Sequence, residues 1–379
     1  LSSTWKIFLE EFYLYLKSYF PLFWQLKNGV DFSFWKGSEL VKSLINHLLS
    51  HFQKVPLSFR ILFFVVLSWI VIFLVIRALI RSSKSLCNCS GDMRGKTVLI
   101  TGANTSIGFE MTLDLLKRGS RVIMACKSLR AGIEACKKII HRTGQSNIIV
   151  KKLDLSSLES VRFFSECILK EEERLDVLVL QETMLLSKKY TTEDNLELLM
   201  ANNYFGHFLL TNLLYPILSK SGRISSPSRI VIRLHSCHRW GNVDINNLNS
   251  ESSFENFRAF ASSQRASMYM ARQLSQKLNP KTITVNCFES AMMKVEPNDG
   301  VPYLHGHKDI TSFIKCFFDF TPYEASQTGI HLCVSEVIKP GNIYFSCKSA
   351  TDLNNGDERD EIKSVQLWNK TLEILEELS

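Results

Sequence analysis

Two patterns alternate along most of the chain. From residue 93 onward, short runs of β-branched and other apolar residues recur: TVLIT (97–101), RVIMA (121–125), NIIVKK (147–152), DVLVL (176–180), RIVIRL (229–234), TITVNC (282–287) and NIYF (342–345). Between most of them lie segments such as MTLDLLKRG, LESVRFFSECILKEEE and FGHFLLTNLLYPIL, whose apolar residues repeat at helical spacing. Repeated strand and helix units predict an α/β fold, a doubly wound parallel sheet with helices on both faces and ligands at the C-terminal ends of the strands. The tail, IKSVQLWNKTLEIL, puts Ile362, Val365, Trp368, Leu372 and Leu375 on one stripe and predicts a docked helix within 351–379.

The front of the chain follows different rules. ILFFVVLSWIVIFLVIRALI (61–80) holds twenty residues with one charge, Arg77. At about 1.5 Å per residue such a helix spans about 30 Å, the hydrocarbon thickness of a bilayer, and an arginine near its end can reach the interface. The segment predicts a single-pass transmembrane helix over 60–81, with a linker over 82–92. It lies too far into the chain and is too long for a cleavable signal peptide. Residues 1–59 form an extension in which WKIFLEEFYLYLKSYFPLFWQL mixes aromatics and charges, as an interfacial amphipathic helix or a surface for a protein partner would. The chain begins with Leu rather than Met, so its true start is open.

Charge sharpens this division. The net charge is +8, and residues 1–90 carry ten Lys/Arg against four Asp/Glu, leaving a surplus of only +2 for the remainder. A nearly neutral main domain does not suit nucleic acid. Arg77, Arg81 and Lys84 after the span and Lys54 and Arg60 before it favour a cytosolic main domain only weakly. The ten cysteines show neither CxxC pairs nor zinc-ligand spacing, so reduced thiols in a cytosolic compartment and no metal are expected. Cys87 and Cys89 are linker thiols or acylation sites.

Candidate chemistry starts at TGANTSIG (101–108), between the first strand and its helix. A turn in this context aims backbone N–H groups and a helix N-terminus at a pyrophosphate. Gly102 allows the bend and Gly108 the close packing of helix on strand, with Asn104, Thr105, Ser106 and Ile107 completing the cofactor-binding turn. Ser106 puts a Cβ where phosphate would approach. Lys127, after the second strand, is placed to meet a 2′-phosphate, which favours NADP(H) over NAD, or is a solvated lysine. Asp154 and Leu155, after the third strand, are candidates to flank an adenine, although an Asp there is also a common helix cap.

These segments, with NNYFGHFLLTNLL, TPYEASQTGIHL and GNIYFSCK, resemble the short-chain dehydrogenase/reductase family in its retinol dehydrogenase-like branch. The resemblance covers roughly 93–350, implies a Rossmann-type domain there, and implies an N-terminal anchor, with the endoplasmic reticulum as its membrane. Family members move a hydride with the help of a Tyr acid, a Lys one helical turn later, a Ser that polarises the oxygen and an Asn in a water relay. Carried onto this chain, those positions hold Phe260, Gln264, His235 and Asn203.

Phenylalanine has no hydroxyl to give, and glutamine carries no charge. Loss of the acid alone removes about 10²–10⁴-fold in rate. The family's Asn-Asn-Ala-Gly after the fourth strand is Leu180-Gln181-Glu182-Thr183 here, and its Pro-Gly after the sixth is Glu289-Ser290. Ser236, Tyr269 and His235 itself are the candidate substitutes, and His235-x-Cys237-His238 a candidate metal motif. Two readings follow. One is a membrane-anchored pseudoenzyme that keeps NADP(H) or a lipophilic small molecule as ligand and works as scaffold or sensor. The other is an active NADP(H)-dependent oxidoreductase on a retinoid, steroid or other lipophilic carbonyl with a non-standard acid. The aromatic segment 295–320 is a candidate wall for a lipophilic cavity.

Overall fold

The computed structural model describes residues 55–82, 86–186, 188–251, 254–290, 320–355 and 357–378. The amphipathic extension and all but the last residue of the aromatic segment 295–320 lie outside them. The chain divides into two units, Leu1–Ile76 and Arg77–Ser379. Helix α1, Leu57–Ser82, contains the stretch Leu57–Ile76, long and apolar enough to cross a membrane by length and composition, and none of that stretch is buried.

In the second unit eight strands form one sheet in the order β3-β2-β1-β4-β5-β6-β7-β8. They are β1 Thr97–Thr101, β2 Arg121–Cys126, β3 Ile148–Lys152, β4 Val177–Leu180, β5 Ser228–His235, β6 Ile283–Ser290, β7 Asn342–Phe345 and β8 Lys348–Asp352. All neighbours pair parallel except β7 and β8, which form an antiparallel hairpin. The doubly wound sheet is therefore as the alternating pattern predicts, with one added edge strand. KSATD has no apolar run because β8 is largely exposed, so hydrophobic patterning gives no sign of it.

Helices α2 (Ser106–Lys117), α3 (Leu129–Thr143), α4 (Leu158–Glu171), α5 (Gly206–Ser221), α6 (Asn256–Lys277), α7 (Pro322–Val334) and α8 (Glu358–Glu377) cover the sheet. Side chains alternate between the two faces of each strand, so two apolar clusters form. Leu99, Leu178, Ile230 and Val285 point into one, with Phe208 and Trp368, whose rings meet edge on at 4.7 Å. Val98, Ile100, Val179 and Val231 point into the other, with Met111 and Ile330. The C-terminal helix buries Leu367, Trp368 and Leu375 against the first cluster, while Ile362, Val365 and Leu372 stay exposed. The buried stripe thus runs along a slightly different face than the sequence spacing suggests.

The order reverses between β1 and β4. Their adjacent C-terminal ends open a crevice, and the loops that follow them meet there.

Candidate functional site

The glycine turn stands at that reversal. Gly102 has φ +62°. A Cβ on it would fall 2.8 Å from Gln181 Nε2 and 2.9 Å from Glu182 Cβ, and a Cβ on Gly108 would fall 2.3 Å from Gly102 O. Both glycines are therefore demanded by the packing of β1, α2 and the β4 loop, apart from any ligand. Thr105 caps α2: its Oγ1 accepts from Gly108 N–H and donates to Gly102 O at 2.8 Å. Ile107 is fully buried in the core and offers only its backbone. Burial outweighs the N–H groups of Asn104 and Ala103 and pushes the Cys126 thiol up to about 12.

Gln181 occupies the space behind this turn. Its Nε2 donates to Thr101 O (2.9 Å), Gly102 O (2.7 Å) and Thr105 Oγ1 (2.9 Å). Next to it, Glu182 points a carboxyl inward whose Oε2 is buried and has no hydrogen-bond partner, and Gln181 Oε1 is in the same condition. Burial, reinforced by the charge of Asp154 and only partly offset by Lys127, pushes the Glu182 carboxyl up to about 7.

On the β2 and β3 side, Lys127 Nζ lies 3.0 Å from Asp154 Oδ2 and 3.1 Å from Ser156 Oγ. Burial works against the Asp154 carboxylate, but hydrogen bonds from Ser156 and Lys127 outweigh it and hold Asp154 below its ordinary value. Asp154 also accepts from Ser156 N–H, the turn-capping role common for an Asp after a strand. The Leu155 side chain is buried in the core, so beside an adenine it would offer only its backbone.

The four residues assigned by resemblance to catalytic positions come together at the ends of β5, α5 and α6. Asn203 lies in a π-helical turn, Ala201–Phe205, leading into α5. Turns of this kind often mark functional sites. Its Oδ1 accepts from Met184 N–H at 2.8 Å, and its Nδ2 donates to Met184 O (2.9 Å) and Ser263 Oγ (3.0 Å). Phe260 is buried in a small apolar cluster with Leu186, Leu199, Cys237 and Ala261. Its ring meets that of His235 edge on at 5.5 Å. Gln264, also buried, accepts from His235 N–H through Oε1 at 2.9 Å.

His235 is poorly suited to supply a proton. Burial, together with nearby Arg233, lowers it to about 4, so it is neutral at neutral pH. Its Nδ1 accepts from Cys237 N–H at 3.2 Å, which leaves the proton of the neutral ring on Nε2.

The other substitutes are engaged elsewhere. Ser236 begins the 3₁₀ turn Ser236–Trp240 rather than sitting in β5, and the β5–β6 register keeps His235 opposite Ser290. Tyr269 gives its hydroxyl to Asp360 Oδ1 at 2.6 Å, under Arg265. His238 is held by the buried Glu289 carboxyl (Nε2 to Oε1, 2.8 Å), as is Arg239 at 2.6 Å, while Cys237 packs in the apolar cluster with Phe260, so the His235-x-Cys237-His238 side chains are engaged apart from one another.

Sequence reasoning missed Arg233. It donates to Ser290 Oγ (3.0 Å) and reaches Gln181 O (3.4 Å), putting a guanidinium into the crevice between β4 and β6. The signal was available, since an arginine inside RIVIRL breaks the apolar run expected of a strand covered on both faces.

An NADP(H) molecule would meet two unlike halves of this crevice. The adenosine half keeps a glycine turn at a helix N-terminus and Lys127 with its ammonium partly exposed, while Glu182 sets a buried, unpartnered carboxyl beside that turn. Among the described residues, the positions assigned to the nicotinamide half hold Asn203, Phe260, Gln264 and a neutral His235, none of which delivers a proton near pH 7.

A family model described as short chain dehydrogenase matches residues 96–301. Human retinol dehydrogenase 14 is 33% identical over 293 residues, covering 73% of this chain and 85% of that protein. Mouse retinol dehydrogenase 13 is 37% identical over 293 residues, covering 76% and 86%. Among solved structures, an uncharacterized protein from Mycobacterium paratuberculosis aligns with a TM-score of 0.58 at 21% identity, over 76% of this chain and 97% of its own. The RhlG/NADP active-site complex from Pseudomonas aeruginosa aligns with a TM-score of 0.53 at 20% identity, over 67% and 95%. This chain belongs to the short-chain dehydrogenase family, in its retinol dehydrogenase-like branch.

Proposed function

We propose that this protein is a membrane-anchored member of the family in which hydride-transfer chemistry has been silenced, and which keeps the adenosine half of an NADP(H) site as a scaffold or sensor. The observation that carries this reading is the state of the proton-donating positions. A phenyl ring sits in an apolar cluster, an amide is spent on a backbone N–H, and the one imidazole beside them is neutral at neutral pH. In this reading Gly102, Thr105, Gly108 and Lys127 hold the nucleotide, and Asn203 is left as a structural link between the β4 loop and α6. When bound, the dinucleotide would supply a hydride donor, but among the described residues nothing beside it would protonate the resulting alkoxide.

Helix α1 is the anchor in this reading, with the domain on the cytosolic side of the endoplasmic reticulum. The names of the relatives favour a second reading, an active oxidoreductase on a lipophilic alcohol or carbonyl, and His235 would have to be its acid. The full chain in detergent micelles separates the two. Titration with NADPH, followed by nucleotide fluorescence, is expected to give saturable binding, and addition of retinal no oxidation of the nucleotide. Oxidation that disappears in His235→Ala would overturn the proposal.

A further inference from the structure

Remote from the crevice, three metal-ligating side chains converge that neither the fold family nor the site above accounts for. Cys87 and Cys89 lie on the segment that precedes β1, and His331 lies on α7. One ligand atom from each lies within 4.8 Å of the others. Cys89 Sγ is 3.1 Å and Cys87 Sγ 4.0 Å from His331 Nδ1. We infer that Cys87, Cys89 and His331 bind a zinc ion, with Cys347 closing the coordination shell.

The spacing suits that ion. Zinc takes thiolates at about 2.3 Å and imidazole at about 2.0 Å in a tetrahedron, which sets ligand atoms about 3.5–3.8 Å apart. The three atoms are within small side-chain rotations of this arrangement. Two or three thiolates with one imidazole are the donors of a structural zinc site and are too soft for magnesium or calcium. Binding releases the thiol protons to solvent and leaves the imidazole neutral.

Cys347 stands near enough to Cys87 and Cys89 for their charges to act on one another, on an uncommon backbone. Ser346 and Cys347 form the two-residue turn between β7 and β8, with φ of +48° and +58°. This is the left-handed region where Gly or Asn is usual and other residues call for a reason. Its N–H donates to Thr328 Oγ1 at 3.2 Å, and its Sγ donates to Gln327 O at 3.6 Å. Gln327 and His331 share a face of α7 one turn apart, and Gln327 Oε1 also accepts from Cys87 N–H at 3.1 Å. Cys87, Cys89 and His331 thus meet beside one face of α7, and Cys347 is tied to the same helix through Thr328 and Gln327 O.

The surroundings match the charge of such a centre. Zinc with three thiolates and a neutral imidazole carries a net charge of about −1. Arg118 donates to Cys89 O at 2.6 Å, and Arg229, bonded to Leu332 O at 2.8 Å, lies near enough for its charge to act on His331. The consequence is structural. A bound ion would clip the segment before β1 to α7 and to the β7–β8 turn, which are about 240 residues distant in sequence.

The test uses the untagged full chain, purified in detergent without added metal or chelator. Elemental analysis is expected to find about one zinc per chain. Cys89→Ser and His331→Ala are each expected to weaken zinc retention against a competing chelator by at least about 100-fold. Cys347→Ser is expected to weaken it as well, and Cys136→Ser, a thiol on α3, to leave it unchanged. Zinc-edge X-ray absorption of the unaltered protein is expected to show a mixed sulfur and nitrogen shell, which keeps the test valid if a variant fails to fold. An oxygen and nitrogen shell, absence of zinc, or equal retention by Cys89→Ser would overturn the proposal. So would an intact mass revealing a disulfide or a fatty acyl group on Cys87 or Cys89.

Discussion

Glu182 offers a quantitative handle on the crevice. Its carboxyl enters a buried position where Oε2 has no partner, and its pKa rises from the ordinary 4.5 to about 7. At 1.36 kcal/mol per pH unit, that rise corresponds to about 3 kcal/mol of folding free energy. Its sign follows from proton binding. Below pH 4.5 the folded and unfolded chains both hold the proton, and Glu182 costs nothing through ionisation. Between 4.5 and 7 the unfolded chain releases it while the folded chain retains it, so stability falls as pH rises. Above 7 the full penalty of about 3 kcal/mol is present.

Glu182→Gln keeps the shape and removes the ionisation. The variant is expected to match the parent near pH 4.5 and to exceed it by about 3 kcal/mol at pH 8, or about 5 °C in melting temperature for a domain of this size. Tryptophan-fluorescence melts of both proteins in detergent, taken at half-unit steps from pH 4.5 to 8, give the comparison. Parallel profiles for parent and variant would refute the reasoning, because they would mean that the carboxyl is solvated in the folded protein.

Other outcomes follow from the same geometry. Lys127→Ala is expected to weaken NADPH binding about ten-fold, roughly 1.4 kcal/mol, with little effect on NADH, as read by nucleotide titration. Gln264→Leu leaves the His235 N–H without its acceptor and is expected to cost about 1–3 kcal/mol in chemical denaturation, with no change in a background turnover rate. Tyr269→Phe removes only the bond to Asp360, so it is expected to lower stability by about 1 kcal/mol and to leave NADPH affinity unaltered. Placing Tyr at 260, Lys at 264 and Ser at 235 together is expected to restore little retinal reduction, because Leu180-Gln181-Glu182-Thr183 and Glu289-Ser290 still stand where the family has Asn-Asn-Ala-Gly and Pro-Gly; strong recovery in the same assay would mean that those three positions alone silence the site.

Seven strands and the long helices were legible because each is a run of β-branched residues or a stripe at helical spacing, and a sheet covered on both faces leaves that mark directly. The reversal of strand order follows from connection rules once the units are counted. What escaped has physical reasons. The edge strand β8 is exposed and carries no apolar run. The π-helical turn at Asn203 reads as ordinary helix, because one extra residue per turn changes no side-chain type. Leu155 was legible by type as a core residue, and its side chain is buried as that type predicts. Phe260 and Gln264 look unremarkable by themselves, and only the family's pattern gives their identity a meaning. No local spacing reveals the Cys87, Cys89 and His331 cluster, since folding alone brings those groups together.

The central claim of the proposed function is that, among the described residues, no group beside the nicotinamide position can protonate an alkoxide at neutral pH. Its most direct test is NADPH oxidation by the full chain with retinal or another lipophilic aldehyde, measured from pH 4 to pH 8. The account predicts no oxidation above the enzyme-free rate from pH 6 to pH 8, where His235 is neutral. Turnover on the order of 1 s⁻¹ or faster at pH 7 would contradict it.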